Sequence, residues 1–467
     1  MTRKKIPAGK WLLRILCGFL IFILLGVLLP PLKHSSADEI SAAGRTSENS
    51  SASERVLCLD DNDEALLWRL RLIEAAQDNI ALSTFDFRDD ESGLDIMAAL
   101  LDAAERGLQI RILLDGFCPR LYLSDSICFA ALLSLPNVEA YFYNPVDLLT
   151  PWTVNYRMHD KYLIADDFAY IMGGRNTCDL FLGSSPGQQN IDRDVLVYAA
   201  KADSSLSALR DYFQSVWGLK CNRPIRYSMD EQKLSAAKAE LRNRFRDLES
   251  RIERLSEPFS WAGQTMETSS VTLLSNPVEA KNKAPVLWNV LCDFMAGGSE
   301  IAIQTPYVVC SRSMYDELSA LCDDGSRRLT VYTNAAETGA NLLGRADYLY
   351  SRDDILNTGA ALCEYAGDRS MHTKTVLIDD RLSIIGSFNV DMRSTYLDTE
   401  LMLAIDCPAL NALLREQLAE IAAKSRFVSS DGAVKYGQDY TPASLSPGKH
   451  ILRRALGLVI RPIRYLL

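Results

Sequence analysis

The sequence predicts an α/β fold: two similar α/β/α sandwich halves share one active site across a pseudo-twofold axis, with an N-terminal membrane helix ahead of them. Three observations predict it. A His-x-Lys segment occurs twice with the same internal spacing, strands alternate with helices around each copy, and one apolar run lies near the N-terminus. The chain has 467 residues, which suits two domains or one duplicated domain, and 48% hydrophobic against 24% charged residues mark it as globular.

The elements follow in order. Residues 1–33 are basic and apolar, and Arg14 is the one charge in 11–32. The uninterrupted apolar run from Ile15 to Leu29 is 15 residues. Snorkelling of Arg14 extends it toward a membrane anchor; the competing reading is a signal segment cut near Ser35-Ser36-Ala37. Either reading puts the catalytic body outside the cytoplasm. Residues 34–55, rich in Ser, Ala and charge, read as a flexible linker. Residues 56–225 form the first half. Its signals are helical spacing over 63–76, a strand over 80–87, a helix over 93–106 stopped by Gly107, and a strand over 109–115. Residues 226–266 read as a helical linker with a charged face. Residues 267–430 repeat the pattern: helix 285–295, strand 300–305, helix 314–322, strand 329–333. Such alternation implies a mainly parallel sheet in each half. Residues 431–467 form a basic amphipathic tail, broken at Pro462, that suits a membrane interface.

Charge narrows the partners. Residues 1–33 and 449–467 hold eleven Lys and Arg and no acid, so the body between them carries 39 bases against 60 acids. A body at -21 argues against a nucleic-acid partner, and basic ends beside apolar residues point to a membrane of anionic lipid. The eleven cysteines form no CxxC pair, which argues against a zinc knuckle or a thioredoxin-like site.

The chemistry lies in the duplication. His159-Asp-Lys161-Tyr-Leu-Ile-Ala-Asp166 leads after six residues to Gly173-Gly174-Arg175-Asn176. His372-Thr-Lys374-Thr-Val-Leu-Ile-Asp379 leads after six residues to Gly386-Ser387-Phe388-Asn389. Both run 18 residues from His to Asn, 213 residues apart, and they claim two of the four histidines in the chain. In an extended run His and Lys at i and i+2 share a face. Lysine there neutralises phosphate oxygens, histidine attacks phosphorus or protonates the leaving oxygen, and the Asn176 and Asn389 amides donate to the same oxygens. One histidine cannot be neutral nucleophile and protonated acid in a single step. Two histidines from two halves can, through a phosphohistidine intermediate. Each needs a carboxylate on its other nitrogen. The candidates are Glu400 on one side and, on the other, Asp194 ahead of Asp192. Asp166 and Asp379 complete the repeated set and suit a structural place at each strand end. The set calls for no cofactor and no metal, because each histidine has a lysine beside it that repels a cation.

These residues resemble the phospholipase D superfamily, whose signature His-x-Lys-x4-Asp-x6-Gly-Gly/Ser-x-Asn is complete in both copies. The similarity extends over most of 56–407. Thr333-Asn334 and the run from Gly386 to Ser394, followed by Thr399-Glu400, resemble the bacterial cardiolipin synthase branch. Met392 stands where that branch usually has Pro, Asp398 where it has Asn, and Thr305-Pro-Tyr-Val replaces Ser-Pro-Tyr-Phe. The resemblance implies phospholipase D-type halves and a phosphatidyltransferase that joins two phosphatidylglycerols and releases glycerol. It makes His159 the nucleophile and His372 the acid. The rival in the same fold is a hydrolase of phospholipid or nucleic acid. A silent scaffold would show a broken motif, and neither copy is broken.

Overall fold

The computed structural model describes residues 8–28, 54–199, 204–323, 325–339, 341–442 and 447–467. The expected linker therefore lies outside the described residues except at its end, where the strand Glu54–Leu59 has already begun.

Among the described residues each half is built on a nine-stranded sheet. In the first, the neighbours run Met266–Glu267, Glu54–Leu59, Asp194–Ala199, Ala169–Gly173, Tyr162–Ala165, Asn79–Thr84, Gln109–Asp115, Val138–Tyr143 and Arg223–Pro224. From Glu54–Leu59 onward the second repeats the order with Ser270–Ser275, Leu401–Asp406, Leu382–Gly386, Thr375–Ile378, Glu300–Gln304, Arg328–Asn334, Ala361–Tyr365 and Ser425–Val428, and its extra strand Val434–Tyr436 lies at the edge opposite to that of Met266–Glu267. The sheets are mixed rather than mainly parallel. In each, three strands pair in parallel and the remaining neighbours are antiparallel. The reason is local. Helices such as Glu91–Glu105 cross over between the parallel strands, whereas tight turns at Asp166 and Asp379 fold the motif strands back on themselves.

The sheets meet through their inner faces. Met172, Val195 and Val197 of the first half share one core with Val271, Leu377, Ile385 and Leu403 of the second. The helices Ser205–Trp217 and Pro408–Ala423 join that core, while separate cores lie under the outer helices of each half. The charged helix Glu231–Arg251 packs on the first half. Ala237, Leu241 and Leu248 are buried there, and Arg244 and Arg251 both pair with Asp95.

At the N-terminus, Ala8–Leu28 is one helix of 21 residues. Yet among the described residues no helix is long and apolar enough to cross a membrane, which corrects the expected span. The part of the helix beyond Arg14 is 14 residues and rises about 21 Å, short of the roughly 30 Å hydrocarbon layer. The last turn of this helix is also occupied by the body. Asn155 Nδ2 donates to Val27 O at 2.8 Å, Gly26 lies against Pro151, and Phe22 meets Trp152 edge-on.

Candidate active site

The two His-x-Lys segments lie just ahead of the strands Tyr162–Ala165 and Thr375–Ile378, not within them as the apolar pattern suggested. Each segment leaves its own sheet to pair with the other half. Met158 bridges Thr399, and His159 N donates to Thr399 O. Ser370–Met371 pairs with Asn190–Ile191, and His372 N donates to Ile191 O.

This exchange crosses the carboxylates over. His159 Nδ1 donates to Glu400 Oε1 of the second half at 2.9 Å, and His372 Nδ1 donates to Asp192 Oδ2 of the first half at 2.5 Å. Sheet register shows that Asp192 and Glu400 are equivalent: Gly174 N donates to Arg193 O and Ser387 N to Leu401 O, one residue after each carboxylate. The Gly-Gly/Ser pair is explained by the same contacts. A Cβ on Gly174 would collide with the Asp192 carboxylate, and a Cβ on Gly386 with Leu401 O. At the place of Gly174 the second half has Ser387, whose Oγ donates to Glu400 Oε2; Ser394 Oγ donates to Oε1 at 2.6 Å.

Asp194, expected as an orienting residue, faces neither histidine. It lies on a strand two residues after Asp192, pairs with Arg69 at 2.8 Å and lies 3.6 Å from Arg175. Asp166 and Asp379 hold the strand-end turns at φ 45° and 49°. Asp166 accepts the backbone N–H groups of Gln77, Asp78 and Asn79, and Asp379 accepts those of Ser299 and Glu300. These three carboxylates serve the fold.

The lysines are buried beside the imidazoles. Lys161 Nζ donates to His159 O and lies over the Phe85 ring. Lys374 Nζ donates to His372 O and lies 3.8 Å from Asp192. Phe85 packs on His159 and Phe181 on His372, with ring centroids 5.1 and 4.9 Å apart. Asn176 and Asn389 are buried, with side-chain carbonyl oxygens that have no hydrogen-bond partner among the described residues; Asn389 Nδ2 donates to Tyr307 Oη at 3.3 Å. Tyr307 was noted in the sequence within Thr305-Pro-Tyr-Val but not as a partner of Asn389, and Ser387 and Ser394 were missed as ligands of Glu400, because single hydroxyls carry no spacing signal.

The departures from the branch pattern also find reasons. Asp398 pairs with Arg393 at 3.0 Å, which an asparagine could not match in charge. Met392 opens the helix Met392–Tyr396, a first-turn position that tolerates proline equally. Thr305 Oγ1 donates to Tyr307 O and accepts from Val390 N, work that a serine hydroxyl can also do.

Burial dominates the electrostatics. It lowers Lys161 to about 7 and Lys374 to about 8. Burial, reinforced by the neighbouring lysine, holds His159 well below its usual value and takes His372 to about 4. The carboxylates diverge. Burial raises Glu400 to about 8 against the pull of Lys161. It pushes Asp192 up too, but Lys374 and His372 outweigh it and hold that carboxyl below the usual range. Among the described residues no three His, Cys, Asp or Glu side chains gather as a metal site.

Known proteins agree with this architecture. The family model described as cardiolipin synthase, PLD-like domain, matches residues 70–217 and 291–422, one stretch in each half. Cardiolipin synthase C of Escherichia coli is 28% identical over 413 residues, covering 78% of this chain and 83% of that one. An uncharacterised protein of Helicobacter pylori is 25% identical over 425 residues, 82% of each chain. The crystal structure of phosphatidylserine synthase from Haemophilus influenzae superimposes with a TM-score of 0.62 at 16% identity, covering 96% of this chain and 99% of that one. With a family match in each sheet and a complete motif on each side of the shared site, the chain belongs to the cardiolipin synthase, PLD-like domain family and is an enzyme of the phospholipase D superfamily.

Proposed function

We propose that this enzyme transfers a phosphatidyl group from one phosphatidylglycerol to the glycerol hydroxyl of another at a membrane surface, forming cardiolipin and releasing glycerol. The crossed pairing of His159 with Glu400 and His372 with Asp192 carries this reading. With Nδ1 held by Glu400, His159 presents Nε2 to phosphorus. Attack forms an N–P bond, and the P–O bond to glycerol breaks as His372 gives its proton to the departing oxygen. His372 then takes the proton of the incoming lipid hydroxyl, which displaces His159 and restores it. Lys161, Lys374, Asn176 and Asn389 surround the phosphate oxygens, whose charge develops in the transition state.

The roles follow from the carboxylates. Asp192 stays ionised and supports an imidazolium, so His372 is the proton carrier. Burial, with Lys161 beside it, keeps His159 neutral and nucleophilic, and Glu400, raised to about 8, brings little negative charge to oppose them. The bound phosphodiester adds negative charge beside His372 and raises it toward working pH. Hydrolysis of a phospholipid differs only in water replacing the second lipid, and nucleic acid is disfavoured by the acidic body. The test is a product assay: protein with phosphatidylglycerol vesicles, His159→Ala as control, lipids resolved by mass. Cardiolipin with glycerol, absent in the variant, is expected. Phosphatidic acid would make the enzyme a lipase, and no lipid turnover would overturn the reading.

A further inference from the structure

The C-terminal helix Pro447–Ile460 is turned inside out. Its buried positions include Arg453, Gly457 and Ile460, with Arg453 donating to Ala336 O and Gly457 pressed on Tyr350. Its outward positions are apolar: Ile451 and Leu452 are each 69% exposed, Leu458 58% and Val459 71%. A helix in water hides such side chains and solvates its arginines. The arginines here divide. Arg453 and Arg464 are spent inward, the latter on Asp347 at 2.9 Å, while Arg454 and Arg461 stay exposed beside the apolar residues.

The surface does not stop at this helix. At its far end Tyr465 Oη donates to Leu28 O, joining the tail to the N-terminal helix, whose Leu24 and Leu25 are more than half exposed. That helix rests on the segment Pro151–Asn155, beside which Leu149 is 72% exposed. Each support leads to the catalytic pair. Arg393 grips the end of the chain through Leu466 O and Leu467 O, and it also holds Asn155 O and Asp398. Asn155 lies four residues before His159, and Asp398 two before Glu400.

We propose that this face seats on a bilayer bearing anionic headgroups, with the C-terminal helix lying in the interface plane, its apolar positions immersed and Arg454 and Arg461 at headgroup level. The proposal rests on the phosphatidyl-transfer reading for its purpose and on this surface for its geometry. At 14 residues the helix is about 21 Å long, too short to span and suited to lie flat. The exposed arginines match anionic lipid. The clamp at Arg393 places the lipid surface next to His159 and Glu400, so a substrate lipid reaches phosphorus chemistry without leaving the membrane.

Two measurements on the full chain test it. A photo-crosslinking amino acid at Val459 is irradiated with vesicles of phosphatidylglycerol and phosphatidylethanolamine, with the exposed Gln232 on the helix Glu231–Arg251, which packs on the first half, as control site. Lipid adducts at 459 and not at 232 are expected. Protein adducts at 459, or none while the chain is vesicle-bound, overturn the proposal. In the second, Leu452→Asp with Val459→Asp is expected to cut turnover of vesicle phosphatidylglycerol at least tenfold and to leave turnover of a soluble short-chain phosphatidylglycerol unchanged. Equal loss on both substrates, or no loss on either, overturns the docking role. If the unmutated chain turns over neither lipid, the functional reading fails while the crosslinking result still decides the surface.

Discussion

The two half-sites use the same residues on the same spacing, yet the carboxylates behind their histidines are held in opposite states. Behind His159, Glu400 is buried with Asp398 nearby, and two serine hydroxyls with Lys161 only partly offset the burial, so its carboxyl rises to about 8. Behind His372, Asp192 faces Lys374 with Arg175 close by, and stays ionised. Duplication supplies matched geometry, and the surroundings of each copy then assign a role. The scaffold shows the same divergence. Where the first half buries Arg175 with Asp194, the second has Phe388 stacked on Trp288, and Met402 takes the place of Asp194 in sheet register.

The comparison can be broken most sharply at the histidines. His159→Ala and His372→Ala should each lower kcat by about 10³ or more, at the upper end of what a positioned acid, base or nucleophile contributes. A phosphodiester with a good leaving group, such as p-nitrophenol, separates them. Its rapid release should survive in the His372 variant, which then needs no acid, and vanish in the His159 variant. Burst kinetics on both variants check this, and the reverse pattern would exchange the roles.

The carboxylates come next. Asp192→Asn removes the charge that supports an imidazolium and should cost about 10³ in kcat. Glu400→Gln should cost less than about tenfold at pH 7, because a carboxyl with a pKa of about 8 is already mostly protonated there. Equal losses would mean that the halves are electrostatically alike after all.

The lysines set the pH response. With Lys161 at about 7 and Lys374 at about 8, both lose their positive charge as pH rises. A profile of kcat/KM should therefore fall through pH 7 to 8, and Lys161→Arg should remove the earlier part of that fall. A flat profile to pH 9 would contradict the burial that lowers them.

Two smaller effects separate site from scaffold. Asp194→Asn leaves Arg69 and Arg175 without their buried counter-charge and should cost about 3–5 kcal/mol of stability, with kcat per folded molecule unchanged. Denaturant titration beside activity measures both, and a loss of kcat would return Asp194 to the chemistry. Asp379→Ala gives up two backbone hydrogen bonds and puts alanine at φ 49°, for about 1–2 kcal/mol and no change in kcat, readable in the same titration.

Much of this was legible beforehand. The helix ending at Gly107 and the strand Gln109–Asp115 were readable because a stop signal and a run of apolar residues act locally. Sheet direction was not, since alternation of helix and strand cannot reveal that Asp166 and Asp379 turn the chain straight back. The linker reading of Glu231–Arg251 followed its many charges, but three buried residues and two arginines on Asp95 suffice to dock it. The long apolar run near the N-terminus overstated the membrane span, because hydropathy alone does not register that Val27 and Leu28 are engaged by the body.

By itself the sequence determined the repeated His, Lys and Asn, the family and the α/β class, because spacing along one chain is preserved in one dimension. Only the tertiary structure decided that the orienting pairs cross between halves, that Asp192 and not Asp194 serves His372, and that the carboxylates differ in charge. Asp192 and Asp194 are two residues apart, a spacing that puts both on one face of an extended run, so spacing alone could not choose between them; in the fold Asp194 opens the strand Asp194–Ala199 and Asp192 lies just ahead of it. Partners 180 and 241 residues apart meet only when two sheets close on each other, where burial then sets which groups keep their protons.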